Sequence, residues 1–168
     1  MIKTTLITCF LLMISFTAQA QYDRLYAFEK GSNLIGLNLG LSLGNDSRTV
    51  ICGSYEYGLT KLFVDECVLG GGVFGGYYKN SYGAEVGRIY ITGLRLNVHY
   101  QFVDRLDTYL GIDPNFNIRT FKQARDSSGF ATYIHAGGRY YLTNWLGVFA
   151  EVSTGSFNTF SGGASIRF

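Results

Sequence analysis

The residues able to do chemistry are few in this sequence, and their spacing points to no catalytic centre. The two histidines, His99 and His135, lack a second histidine or a cysteine at the spacing of a metal site. The run Gly70-x-Gly72-x-x-Gly75 fits a dinucleotide-binding fingerprint in form only, because it lies in a predicted strand with no helix behind it. No constellation of nucleophile and base emerges. The sequence therefore predicts no enzyme, no metal site and no cofactor.

The polar residues of interest form no sequence motif, but they lie on the same face of the predicted strands. Counting back from the turns of two predicted hairpins, we place Arg95 opposite Asp113 and His135 opposite Glu151. Cross-strand opposites lie about 5 Å apart at Cβ, within reach of an ion pair. Because a buried carboxylate without a partner is costly, we expect these charges to pair inside the fold. The predicted polar network, structural in role, comprises Glu56, Arg95, Asn97, His99, Asp113, His135, Arg139 and Glu151.

The elements that must position this network are β-strands. The chain of 168 residues has 22 Gly, 13 Tyr, 13 Phe and one Pro, a composition that favours strands over a helical bundle. In residues 35–43 every odd position is aliphatic and every even one small or polar, and residues 92–102 repeat the alternation in the other parity. Residues 67–78 are so rich in glycine that their parity is ambiguous. The predicted strands span residues 33–43, 49–59, 67–78, 88–102, 108–119, 129–141, 145–155 and 159–168.

The distribution of charge indicates which face meets which solvent. Charged residues make up 15% of the chain and the net charge is +2, which argues against a nucleic-acid partner and a disordered tail. The apolar set carries essentially no charge on six strands, as lipid requires. The polar set is dominated by small residues, and eight strands leave room only for side chains inside a barrel. We therefore predict an all-β fold, an eight-stranded antiparallel up-and-down transmembrane β-barrel.

The first residues have the pattern of an export signal. A positive start is followed by an apolar run over residues 6–16, and Ala18-Gln19-Ala20 gives a small-x-small cleavage pattern. The predicted organisation is a cleaved signal peptide at 1–20, a short periplasmic segment at 21–32 and the barrel at 33–168.

Two cysteines of the predicted barrel could pair in an oxidising compartment. A hairpin turning symmetrically about Leu59-Thr60 would place Cys52 opposite Cys67 and allow a disulfide. A longer turn through residues 63–66 would separate the two thiols, and we favour it, although the sequence leaves both arrangements open.

Several runs resemble a known family. The end of the chain, residues 160–168, alternates and finishes on Phe168, and it resembles the terminal-strand signal by which bacterial outer-membrane barrels are recognised for insertion. Residues 55–60, 138–144 and 146–152 resemble small outer-membrane β-barrel domains of the OmpA/OmpX-like group. The resemblance implies a monomeric barrel with both termini in the periplasm, in the outer membrane of a Gram-negative bacterium.

The function that these observations favour is that of a non-enzymatic integral outer-membrane protein. Its lumen would be plugged by polar side chains, and its role would be structural or one of surface interaction. The expected partners are outer-membrane lipid and the barrel insertion machinery. The alternatives left open are a narrow pore for ions or small solutes, a barrel enzyme and a soluble ligand-binding barrel.

Overall fold

The structure is a computed structural model, which describes residues 27–42, 48–82, 85–120, 127–154 and 159–168. The signal peptide predicted at 1–20 lies outside the described residues. Within them the chain forms one closed antiparallel barrel, in which every strand pairs with its neighbours in sequence. The eight predicted strands are confirmed as β1 (Asn33–Ser42), β2 (Arg48–Lys61), β3 (Cys67–Tyr82), β4 (Glu85–Val103), β5 (Leu106–Thr120), β6 (Ser127–Tyr141), β7 (Leu146–Ser153) and β8 (Phe160–Arg167).

The barrel closes between its first and last strands. Leu34 pairs with Arg167 and Leu41 with Phe160, while the backbones of Asn33 and Phe168 exchange two hydrogen bonds of 3.0 Å. The start of β1 and the end of β8 therefore lie at one rim of the barrel, together with the short β2–β3, β4–β5 and β6–β7 connections. We call this rim the turn end and the opposite rim the loop end. Within the described ranges the chain forms no membrane-spanning helix.

The side chains alternate between an apolar exterior and a largely polar interior. Leu37 exposes 65% of its surface, whereas Glu56 and Asn97 expose 2% and 1%. This is the inverse of a water-soluble barrel, and it confirms the predicted assignment of faces. Aromatic side chains mark both ends of the exterior: Tyr100, Phe102, Tyr140, Trp145 and Phe168 near the turn end, and Tyr90, Phe116, Phe130 and Phe160 nearer the loop end.

Four strands extend further than their neighbours at the loop end. Pairing between β5 and β6 continues to Arg119 and Ser127, whereas β7 pairs with β6 only over His135 to Tyr141. Likewise β3 pairs with β4 out to Tyr82, beyond the last pair that it makes with β2. Strands β3 to β6 therefore continue past the rim formed by the other four.

Candidate functional site in the barrel interior

A first group of charges lies inside the barrel toward the turn end, with His99 at its centre. Nε2 of His99 lies 2.7 Å from Oε1 of Glu56, and Nδ1 lies 2.9 Å from Oδ1 of Asp107. Arg139 Nη1 donates to the second oxygen of Asp107 at 2.8 Å, and Asn97 Nδ2 donates to Glu56 at 2.8 Å. Because ionised carboxylates only accept hydrogen bonds, this geometry fits a His99 ring that donates from both nitrogens. We call these five residues the turn-side cluster.

A second group lies nearer the loop end, with Arg95 at its centre. Its guanidinium donates to both oxygens of Asp113, at 3.1 and 3.0 Å, and to Oε1 of Glu151 at 3.0 Å. Nδ1 of His135 lies 3.1 Å from Asp113 Oδ2, and the Tyr109 hydroxyl donates to Glu151 at 2.9 Å. We call these five residues the loop-side cluster. Since Arg95 is on β4 and Glu151 on β7, their ion pair crosses the lumen.

The segment before β1 covers the turn-side cluster. The ring of Phe28 stacks on the ring of His99 with centroids 4.0 Å apart. The backbone N–H of Ala27 donates to Gln101 Oε1 at 2.6 Å, and Arg167 Nη1 donates to the carbonyl of Ala27 at 2.6 Å. Ala27 and Phe28 are both buried. An apolar layer thus occupies the turn end, and it comprises Ala27, Phe28, Leu34, Val68 and Tyr141.

The loop-side cluster is covered differently. A cavity of about 30 Å³ adjoins Arg95, Asp113, His135 and Glu151, with the thiol-bearing Cys52 in the same lining. That volume holds about two water molecules. Beyond it a second apolar layer faces inward toward the loop end, and it comprises Val50, Cys52, Phe74, Tyr78, Ile89 and Ile91.

Glycines make space for the large polar side chains in the narrow lumen. A Cβ at Gly70 would meet Nε2 of His99 at 2.9 Å and would collide with Oε1 of Glu56. A Cβ at Gly111 would collide with the side-chain oxygen of Asn97 and meet His135 Cε1 at 2.8 Å. The glycine run of β3, a dinucleotide fingerprint in form, therefore serves close packing around the turn-side cluster.

The structure brings all eight residues of the predicted network into the interior, in two groups. The contact between Arg95 and Asp113 is the one that the assumed register required. The register assumed for His135 is wrong, because this residue pairs with Ser153, and Glu151 pairs with Gly137.

The reason for that error is the turn between β6 and β7. Placing His135 opposite Glu151 requires that Tyr141 pair with Trp145, but Tyr141 pairs with Gly147. The Thr143 hydroxyl accepts hydrogen bonds from the backbone N–H groups of Trp145 and Leu146, at 3.3 and 3.0 Å. This longer turn shifts the pairing by two residues, so that Ser153 and not Glu151 lies opposite His135. The ring of His135 contacts Asp113 on its other neighbour, β5.

The predicted network left out three residues that contact the two clusters. Asp107 and Tyr109 have the same inward parity as Asp113, so alternation along β5 was a usable signal for both. Phe28 lies outside every alternating run, and no sequence pattern indicates that it enters the barrel.

Both cysteines of the described chain are free thiols. Cys52 pairs with Gly76 and Cys67 with Tyr100, so the symmetric hairpin is wrong and the longer β2–β3 turn is confirmed. Among the described residues no group of three or more His, Cys, Asp and Glu side chains is arranged to hold a metal ion.

One motif match escaped the sequence reasoning. Residues 40–44 read Gly-Leu-Ser-Leu-Gly, which is in form the nucleophile turn of α/β-hydrolases. That turn joins a strand to a helix, whereas Ser42 is the last residue of β1 and pairs with Arg48 in the next strand. The match therefore carries no nucleophile.

Comparison with solved structures finds similar barrels. The attachment invasion locus protein Ail of Yersinia pestis, in complex with the heparin analogue sucrose octasulfate, has 12% identity and a TM-score of 0.57, over 83% of this chain and 99% of that one. The N-terminal β-barrel domain of Pseudomonas aeruginosa OprF has 17% identity and a TM-score of 0.58, over 84% and 100%. A de novo designed transmembrane β-barrel has 15% identity and a TM-score of 0.60, over 84% and 99%. No protein-family model and no curated protein matches the sequence.

These likenesses define the class of fold. The chain has the fold of the small eight-stranded transmembrane β-barrels, with an apolar exterior and charged groups buried in the lumen. The resemblance to the OmpA/OmpX-like barrels is confirmed at the level of the fold.

Proposed function

We propose that this chain is a non-enzymatic integral protein of the bacterial outer membrane whose lumen is closed to ions. Its role would be structural or one of surface interaction, through the end at which β3 to β6 extend. The observation that carries the proposal is the chain of ion pairs from β4 to β7, in which Arg95 joins Asp113 to Glu151 across the lumen.

Placement in the outer membrane is supported by the surface of the barrel. Between the two sets of aromatic residues the described outward side chains carry no charge, and a cation at the bilayer midplane would cost roughly 2–4 kcal/mol there. The export signal predicted at 1–20 and the predicted insertion signal at Phe168 agree with delivery to barrel insertion machinery. A monomer fits this arrangement, because the barrel closes on itself without a second copy.

Closure of the lumen is supported at three levels along its axis. Phe28 covers the turn end, the two charged clusters occupy the middle, and an apolar layer lies toward the loop end. The cavity beside Arg95 is too small for an organic substrate, and the charged groups around it already face opposite charges. These features favour a closed structural barrel over both an enzyme and a narrow pore.

Single-channel recording in planar bilayers tests the proposal. We expect no steady conductance from the wild-type chain and steady openings from Arg95→Ala/Arg139→Ala, in which both clusters lose their arginine. The matched control is Lys61→Ala, which removes an exposed cation paired with Asp65 outside the lumen. Steady conductance of the wild type, unchanged in the double variant, would establish the narrow pore instead.

A further inference from the structure

Two cations face each other on the outside of the barrel, near the loop end. Lys79 on β3 pairs directly with Arg88 on β4, and both side chains are exposed. Directly opposed residues have Cβ atoms about 5 Å apart, and like charges at that distance repel. No side chain that the structure describes forms an ion pair with either cation. Among the described side chains, the two charges therefore have no facing anion.

The pair lies just beyond the apolar part of the exterior. Two positions further along each strand toward the middle of the barrel, Tyr77 and Tyr90 form an outward aromatic pair, with ring centroids 5.2 Å apart. Tyr90 is ten residues along β4 from Tyr100 near the turn end, which is about 25 Å along the barrel axis for a strand tilted by about 40°. The apolar band of such barrels is about 25 Å tall, so Tyr90 lies at its edge and the cations lie at the level of lipid headgroups.

We propose that Lys79 and Arg88 form a binding site for the phosphate of an outer-leaflet lipid. Arginine binds phosphate oxygens with paired N–H donors, and lysine adds a point charge. The hydroxyl-bearing Thr120 on β5 pairs with Arg88 and is exposed on the same face, where it can add a further hydrogen bond. The inference rests on the proposed location in the outer membrane.

A lipid fits this site better than a free phosphate ion does. Below the cations, Tyr90 pairs with Ile118 on β5, and both present exposed apolar surface. An acyl chain attached to the bound phosphate would lie along this surface, whereas a free phosphate ion would gain nothing from it. Lipid binding also offsets the repulsion between Lys79 and Arg88, which explains why the two cations can stay opposed.

The test is calorimetric titration of the folded mature chain in neutral detergent with diphosphorylated lipid A. We expect Lys79→Gln/Arg88→Gln to weaken binding by roughly thirtyfold, since each basic residue near a lipid surface contributes about fivefold. Lys79→Glu should abolish phosphate-dependent binding yet fold at least as stably, because it can pair with Arg88. Lys61→Gln, which removes an exposed cation at the turn end, should bind as the wild type does.

The remaining arms separate the possible sources of binding. Dephosphorylated lipid A should bind to wild type as weakly as diphosphorylated lipid A binds to the double variant, and inorganic phosphate should not compete at matched concentration. The proposal would be overturned if wild type bound diphosphorylated and dephosphorylated lipid A equally well. It would also be overturned if Lys61→Gln lost as much affinity for diphosphorylated lipid A as the double variant does. Full competition by inorganic phosphate would show that the site binds phosphate whether or not a lipid carries it. Failure of the wild type to insert into phosphatidylcholine vesicles would instead contradict the proposed function.

Discussion

The two charged clusters of the lumen contain the same kinds of side chains, but they differ in the residue at the centre and in what covers them. Each contains one arginine, one histidine, two carboxylates and one neutral polar side chain. In the turn-side cluster the central residue is His99, and in the loop-side cluster it is Arg95. The first is covered by an aromatic ring, whereas the second adjoins a cavity with room for water.

This difference shows in which cluster the carboxylates keep a strong partner when the central residue is lost. In the turn-side cluster each carboxylate has a partner besides His99, since Asp107 also accepts from Arg139 and Glu56 from Asn97. In the loop-side cluster Arg95 joins the two carboxylates, and their other described side-chain partners are a histidine and the hydroxyls of a tyrosine and a serine. Loss of the central residue should therefore be more damaging on the loop side.

The largest effect is expected from Arg95→Met. It leaves Asp113 and Glu151 buried without the cation that joins them, and breaking a buried pair in this way costs about 3–5 kcal/mol. Urea unfolding in detergent, followed by the gel shift of the folded barrel, measures the loss. Adding Asp113→Asn and Glu151→Gln should restore most of it, because no buried carboxylate is then left without the arginine. A single variant as stable as Lys61→Met would contradict the role assigned to Arg95.

A smaller loss is expected from His99→Gln. The amide can keep one hydrogen bond but not the charge, and hydrogen bonds to charged groups contribute about 1.5–3 kcal/mol. Arg139 and Asn97 remain to hold the two carboxylates, so the same unfolding assay should show a smaller change than for Arg95→Met. The reverse order of the two losses would refute the redundancy of the turn-side cluster.

Phe28→Ala tests the cover of the turn-side cluster. We expect a loss of about 1.5–3 kcal/mol, most of it from the apolar surface uncovered at the turn end and the rest from the lost ring stack on His99. A double-mutant cycle with His99→Gln should give a coupling of about 0.5–1.5 kcal/mol, and one with Arg95→Met a coupling near zero. Coupling of equal size to both residues would mean that the segment acts on the lumen as a whole.

The smallest effect is expected from reduction. Because Cys52 and Cys67 are free, a reducing agent should leave the unfolding curve unchanged, and both thiols should react after denaturation without reductant. The absence of a thiol-specific label on both cysteines would show a disulfide. In the folded barrel Cys52 should gain reactivity in Arg95→Met and not in Phe28→Ala, since it adjoins the loop-side cavity.

The sequence by itself determined the strands and the face on which each side chain lies. The period of two is a local property of extended backbone, so Arg95, Asp113 and Glu151 could be assigned to the interior without any knowledge of the fold. The same argument places Leu37 and its aliphatic neighbours outside. Alternation fails only where side chains are missing, as in the glycine run of β3.

Only the tertiary structure decided which interior residues meet. Contacts across the lumen depend on the register of every hairpin and on how β8 closes against β1, and a turn longer by two residues gave His135 a different partner. The burial of Phe28 is also a tertiary event, because it depends on a ring-sized space beside His99 that exists only once the barrel has closed. Local pattern specifies direction, whereas partners are set by register and closure, which involve strands far apart in the chain.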